Sequence, residues 1–442
     1  MLGYQPIIVA LAWTVSFCYA LLPHATANAT RQLHLERGID YIEMELYDQA
    51  MAELQKVIQH HPSYGPAHFY LGAAYRYKDM LNAAAASYQR VLNLETEKQM
   101  RAVAHLCLGI IYQTQGRLVL AEEHGRTAVA QLPEVAETHA RLGDIYLQGG
   151  KLDQALAAYQ QALQLNPEPA EPYHGLGRIA LMQNQAETAV QYFQSAIDRD
   201  AFTPSYHYNL ATAYRHLRNL KSAKQQMEHF QRVKAYLDTV QKQRRASGDK
   251  PNDMDLYLEL ATTHSKVGNF TAAIRVYQIA VGRQPSLAEG YRGLGEVYIR
   301  QRDWKNAIMA YTKLTEIHPQ DAPAWERLGR IYINAKKFEA AVSAWKNAIV
   351  ASSNSANAHN NLARLYAGLE QNLEPAVRLA QKAVALQASA KHFDTLAYVY
   401  YKNRQYYPAL TAIQQALEIE PNNQQYQQQL AAIESNILVG KE

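Results

Sequence analysis

Trp325-Glu326-Arg327-Leu328-Gly329-Arg330-Ile331-Tyr332, followed by Ala341-x3-Trp345, decides the fold of this chain. Trp325, Leu328, Gly329 and Tyr332 are spaced three and four apart, so on a helix they share one face. Ala341 and Trp345 repeat that spacing on a second helix. Gly329 and Ala341 are small, which lets two antiparallel helices approach closely. The same run recurs outward in both directions. Leu294-Gly295-x2-Tyr298 precedes it and Leu362-Ala363-x2-Tyr366 follows it. Leu142-Gly143-x2-Tyr146, Leu176-Gly177, Leu210-Ala211-x2-Tyr214, Leu260-Ala261 and Leu396-Ala397-x2-Tyr400 keep the register. Leu71-Gly72-x2-Tyr75, Leu108-Gly109-x2-Tyr112 and Gly38-x2-Tyr41 extend it to the N-terminal side. A helix pair recurring at such a period cannot bury its apolar face alone, so stacking on neighbours supplies the core.

The pattern resembles the tetratricopeptide repeat, W-x2-L-G-x2-Y, then A-x3-F, then P, with a period of about 34 residues. Tyr291, Leu294, Gly295, Tyr298, Ala307, Tyr311 and Pro319 make one further copy, and His139, Leu142, Gly143, Tyr146, Ala155, Tyr159 and Pro167 another. The resemblance runs from Arg31 to Asn423 over about eleven units. It implies an all-α fold, a right-handed α-α superhelical solenoid of helix-turn-helix units with a C-terminal capping helix. Pro167, Pro285, Pro319 and Pro421 are expected to end the second helix of their units, because proline lacks the N–H and clashes with the preceding turn.

Departures from the period set the expected divisions. Gly72 and Gly109 stand 37 apart, and Ala211 and Ala261 stand 50 apart. The second excess falls in Asp238–Asp253 (DTVQKQRRASGDKPND), read as an extended sixth B helix followed by a flexible joint. Units 1–6 then occupy 31–237, units 7–11 occupy 254–423, and 424–442 is a polar capping helix and tail. Pro375 shifts the tenth unit by one residue, at the first turn of its B helix.

The N-terminus reads as a leader, residues 1–29. Ile7–Leu22 (IIVALAWTVSFCYALL) is mainly apolar and uncharged, short for a span of about 20 residues, and Ala25-Thr26-Ala27 fits a small-x-small cleavage site. The expectation is export to the periplasm or cell envelope, with an uncleaved inner-membrane anchor through residues 7–22 as the alternative.

Little in the sequence points to chemistry. HExxH, G-x-S-x-G, Walker and glycine-rich strand-helix motifs are missing, and no unassigned stretch could hold a catalytic domain. An enzyme, a cofactor and a metal centre are therefore not expected. Cys18 and Cys107 cannot build a disulfide framework or a thiolate site. The net charge of +4 is spread without a basic stripe, which disfavours nucleic acid. His68, His139, His207 and His359 fall at the aromatic position opening helix A, where packing explains them.

What remains is the free face of helix A, which lines the concave side in the family. In the first three units it carries Phe69, Tyr70, Tyr77, Leu106 and Ile110, an apolar wall expected to hold a hydrophobic or amphipathic segment. Later it carries Arg292, Arg300, Arg330 and Arg364, expected to hold an acidic segment or carboxylate. A self-buried first wall and internally paired arginines form the alternative. The chain is expected to be a scaffold or adaptor for envelope proteins, or else an accessory subunit of a polysaccharide-synthesis, secretion or envelope-assembly complex.

Overall fold

The computed structural model describes residues 26–43, 46–250 and 252–439. The apolar run Ile7–Leu22 and Cys18 lie outside them. The described residues form 23 α-helices and no strand. The chain divides into two compact units, Met1–Pro251 and Asn252–Glu442.

In the first unit the helices pack as consecutive antiparallel pairs. These are α1 (Thr26–Glu43) with α2 (Tyr47–His60), α3 (Gly65–Tyr77) with α4 (Leu81–Leu92), and α5 (Lys98–Thr114) with α6 (Leu118–Gln131). Then come α7 (Ala136–Gln148) with α8 (Leu152–Leu165), α9 (Ala170–Met182) with α10 (Ala186–Arg199), and α11 (Pro204–His216) with α12 (Leu220–Asp249). The second unit holds α13 (Met254–Lys266) with α14 (Phe270–Arg283), α15 (Ala288–Arg300) with α16 (Trp304–Ile317), and α17 (Ala322–Asn334) with α18 (Phe338–Ala351). It continues with α19 (Ala356–Gly368) and α20 (Leu373–Leu386), α21 (Ala390–Lys402) and α22 (Tyr406–Ile419), and ends on α23 (Gln424–Val439). The odd-numbered helices α1–α21 are the A helices, their even-numbered partners the B helices, and α23 packs on α22 as the cap.

Glycine and aromatic rings interlock to hold the pairs. Tyr159 of α8 is fully buried. A Cβ at Gly143, on its own A helix, would lie 2.8 Å from that ring, and one at Gly175, on the next A helix, 2.2 Å from it. The ring therefore occupies space that only glycine leaves open on both sides. Tyr311 fills the same place against Gly295 (2.4 Å), and Trp345 does so against Gly329 (2.4 Å). Each B helix expected to stop before a proline does so: α8, α14, α16 and α22 end two residues ahead of Pro167, Pro285, Pro319 and Pro421.

The histidines opening the A helices do more than pack. The ring N–H at that position meets the carbonyl six residues back, at the end of the preceding unit. His68 reaches Pro62 (2.9 Å), His139 reaches Pro133 (2.8 Å), His207 reaches Ala201 (3.1 Å), and the indole of Trp325 donates to Pro319 (2.9 Å). Histidine and tryptophan interchange here because each offers a planar ring with an N–H to a helix end whose carbonyls lack partners. His359 departs from this, with its Nδ1 on the Ser355 carbonyl at 2.8 Å.

The irregular steps have local causes. α5 is 17 residues long where α3 and α7 have 13, so its excess is absorbed as an extra turn. α12 runs unbroken for 30 residues, so the charged segment 238–249 is helix, and only Lys250–Asp253 separate it from α13. The one-residue insertion before α20 places Asn372 in the left-handed region (φ 51°) in addition to Glu370 (φ 52°).

Candidate partner-binding groove

The apolar wall expected in the first three units is core. Phe69 is 1 % exposed, Tyr70 5 % and Leu106 4 %. Phe69 meets Tyr70 and Tyr88 edge-on at 5.5 and 5.6 Å between centroids. Tyr77 stacks on Tyr47 at 5.1 Å, with the Arg76 guanidinium 5.3 Å from its centroid, and Ile110 is half-buried. Phe69 and Tyr77 thus meet rings of the flanking B helices, Tyr88 of α4 and Tyr47 of α2, and apolar rings gain more by such contact than by facing water. A groove for a hydrophobic segment is therefore not open at Phe69, Tyr70 and Leu106, while Tyr77 and Ile110 are half-buried.

The arginines of the second unit mostly brace neighbouring helices. Arg292 of α15 bonds Asp321, the N-cap of α17, at 2.5 Å. Arg364 of α19 bonds Asp394 of α21 at 2.8 Å and lies 5.2 Å from the Tyr398 centroid. Arg300 donates to the Ser265 carbonyl of α13 at 3.3 Å. Arg327, outside the expected set, grips Glu296 of α15 with two bonds of 2.8 and 2.6 Å, and the Tyr311 hydroxyl donates to the same carboxylate at 2.6 Å. These contacts run from one A helix to the next and fix the stacking.

Arg330 differs. Its guanidinium is exposed and has no ion pair among the described residues. It lines a pocket of about 550 Å³ formed by α17, α18, α19 and α21. Lys391, from the first turn of α21, enters the same pocket, and Asn357 and Asn361 of α19 add side-chain amides. Trp345 and Ile333 supply the apolar part of the wall. Asn334 also lines the pocket and donates to the Arg330 carbonyl at 3.2 Å. The one acid in this pocket, Glu326, accepts a short hydrogen bond from the Ser355 hydroxyl. A second pocket of about 520 Å³ shares Glu326 and Asn357, so the depression continues toward the turns that open α17 and α19. Sequence reading found Arg330 but missed Lys391 and Asn357. Both occupy the second residue of an A helix, a register the arginine search did not include.

The Glu296 pair carries a pH signature. Burial alone would raise the Glu296 carboxyl, but hydrogen bonds from Arg327 and Tyr311 outweigh it and hold the pKa below its ordinary value. Burial and the Glu296 bond push the Tyr311 phenol above its range. A lowered carboxyl pKa contributes stability that is present above the unfolded value near 4.5 and is lost as pH falls through the folded value. Acid unfolding of the wild type should therefore be steeper below pH ~4.5 than that of Glu296→Gln, which has no proton to take up there. Parallel acid titrations of the two proteins would refute this if they had equal slopes.

Three family models match. A TPR repeat model covers residues 143–183 and a tetratricopeptide repeat model 174–226. The model of the Cilia and flagella-associated protein 70 C-terminal domain covers 225–433. Similar solved structures include MamA (21% identity, 39% of this chain and 94% of that one, TM-score 0.36). YrrB, described as a TPR protein with an unusual peptide-binding site, is 20% identical over 42% of this chain and 96% of its own, TM-score 0.38. The C-terminal part of a TPR repeat-containing protein from Cytophaga hutchinsonii is 20% identical over 58% and 98%, TM-score 0.37. No curated protein sequence matches the chain.

Proposed function

We propose that this tetratricopeptide-repeat chain is a helical scaffold for protein–protein contacts whose Arg330–Lys391 groove holds an acidic segment of a partner. The exposed guanidinium of Arg330, without an ion pair among the described residues, carries this reading. A planar guanidinium favours bidentate bonding to a carboxylate, and charge-assisted bonds of that kind are the strong ones. Lys391 adds a second cation and Asn357 and Asn361 add amide donors, so two cations outweigh the one carboxylate, Glu326, which accepts a hydrogen bond from Ser355. Ile333, half-buried in the wall, gives an aliphatic side chain of the same segment a place to lie. The pocket is open to solvent, so binding should weaken with salt.

An array of immobilised peptides with graded Asp/Glu content tests the proposal. Wild-type protein should be retained by the acidic peptides, and the double variant R330E/K391E should bind them roughly tenfold or more weakly. Both side chains are exposed, so the variant should stay folded. Retention that ignores acidity, or survives charge reversal, would remove the groove from the account.

The envelope is the proposed location, supported by the leader-like run Ile7–Leu22. Sequencing the mature N-terminus decides between cleavage and anchoring. A start near Asn28 or Thr30 supports an exported soluble scaffold, and a retained Met1 supports the membrane-anchored alternative.

A further inference from the structure

A different seam of the second compact unit holds a cleft that the groove does not use. It is about 710 Å³ and lies between the B helices α18 and α20, over the A helix α19. Leu362 and Tyr366, both buried, form its base, and Ile349 and Leu379 form its walls. Lys346 enters from α18, and Arg378 and Lys382, one turn apart, from α20. All three are exposed, none has an ion pair among the described residues, and no carboxylate lines the cleft. Glu374, one turn before Arg378, accepts instead from Asn403 at 2.9 Å. Two cations four apart on one helix repel one another, so the arrangement costs stability until an anion arrives.

This seam also departs from the repeat. At the place where Tyr159, Tyr311 and Trp345 fill other units, α20 carries Ala380. The inserted, left-handed Asn372 borders the cleft at the start of the helix. From Asn372 to Lys382 the lining extends about 15 Å along α20.

We propose that this cleft binds a linear aliphatic carboxylate, with its chain along Ile349, Leu362 and Leu379 and its head between Lys346 and Arg378. The volume falls in the range of small-molecule sites, and an apolar lining with a few convergent charged groups is their usual composition. The three cations at the mouth, with no acid among them, set the sign of the ligand's head.

Isothermal titration of the full chain with dodecanoate, below its micellar concentration, tests the proposal. One saturable site is expected, weakened about tenfold or more by each two-carbon shortening of the chain. K346E/R378E should weaken dodecanoate roughly tenfold or more while circular dichroism stays unchanged. R330E/K391E should bind dodecanoate like the wild type, which separates this site from the acidic-segment groove. Dodecyl maltoside, neutral with the same chain, should bind far more weakly. The proposal is overturned by no saturable binding, by affinity indifferent to chain length or to K346E/R378E, or by binding confined to phosphatidylglycerol vesicles. An acidic peptide without apolar residues that occupies the cleft more tightly than dodecanoate also overturns it.

Discussion

Tyr159→Ala should lower the stability of the first compact unit by about 3–5 kcal/mol, the range for deleting a fully buried aromatic ring. The ring is wedged between Gly143 and Gly175, whose lack of side chains belongs to the same packing solution, so nothing nearby can expand to fill the void. Tyr159→Phe isolates the hydroxyl, which donates to Asp144 at 2.7 Å. Losing the bond to Asp144 should cost about 1 kcal/mol, because Arg141 still faces that carboxylate. In a stack where each unit touches only its neighbours, the damage stays local. Hydrogen exchange should therefore accelerate first in α7, α8 and α9, while urea melts report the total loss. A Tyr159→Ala variant within 1 kcal/mol of wild type would mean that the ring–glycine interlock does not hold the repeats together.

Trp345→Ala should have an effect on stability of similar size and should also reach the function. Trp345 is 4 % exposed, meets Gly329, and donates its indole N–H to the Glu326 carbonyl at 3.2 Å. It also lines the pocket beneath Arg330 and Lys391. Removing the indole should cost about 3–5 kcal/mol. At temperatures where the variant is still folded, the acidic-peptide affinity of the groove should fall by roughly tenfold, because the apolar wall of the pocket is gone. Trp345→Phe keeps a ring in place at lower cost and should keep most of the affinity. Urea melts and peptide titrations on the same two preparations check both statements. Unchanged affinity in a folded Trp345→Ala protein would show that the apolar wall takes no part in binding.

The stacking face was legible in the sequence because its requirements are severe. Glycine at 143 and 329 and aromatic rings at 159 and 345 admit few substitutes, so they recur in register and announce the unit. The inner face imposes no such demand, and there the reading diverged from the structure. Phe69, Tyr70 and Leu106 have the same composition whether they line an open groove or a closed seam. Phe69 and Tyr77 are covered by Tyr88 and Tyr47 of the flanking B helices, contacts that spacing within a single helix cannot reveal.

The arginines show the same division. Arg292, Arg364 and Arg330 are indistinguishable as letters in successive repeats. The first two meet Asp321 and Asp394, which lie about one repeat further on, whereas Arg330 has no such partner. A search for an acid some 30 residues beyond each arginine would have separated them. Lys391 and Asn357 could be recognised only after the second residue of an A helix was seen to face the pocket. The histidines opening the A helices were read as packing residues, and their bond to the preceding unit's last carbonyls is a matter of geometry that the 34-residue period does not express.

A photo-crosslinking residue placed at Asn361 in the native host, with adducts read by mass spectrometry, tests the central claim most directly. Val119, exposed on the first compact unit, serves as the control position. The account predicts that Asn361 captures a restricted set of segments rich in Asp and Glu, and that R330E/K391E abolishes their capture. Equal adducts at Asn361 and Val119, or captured segments without acidic character, would contradict it.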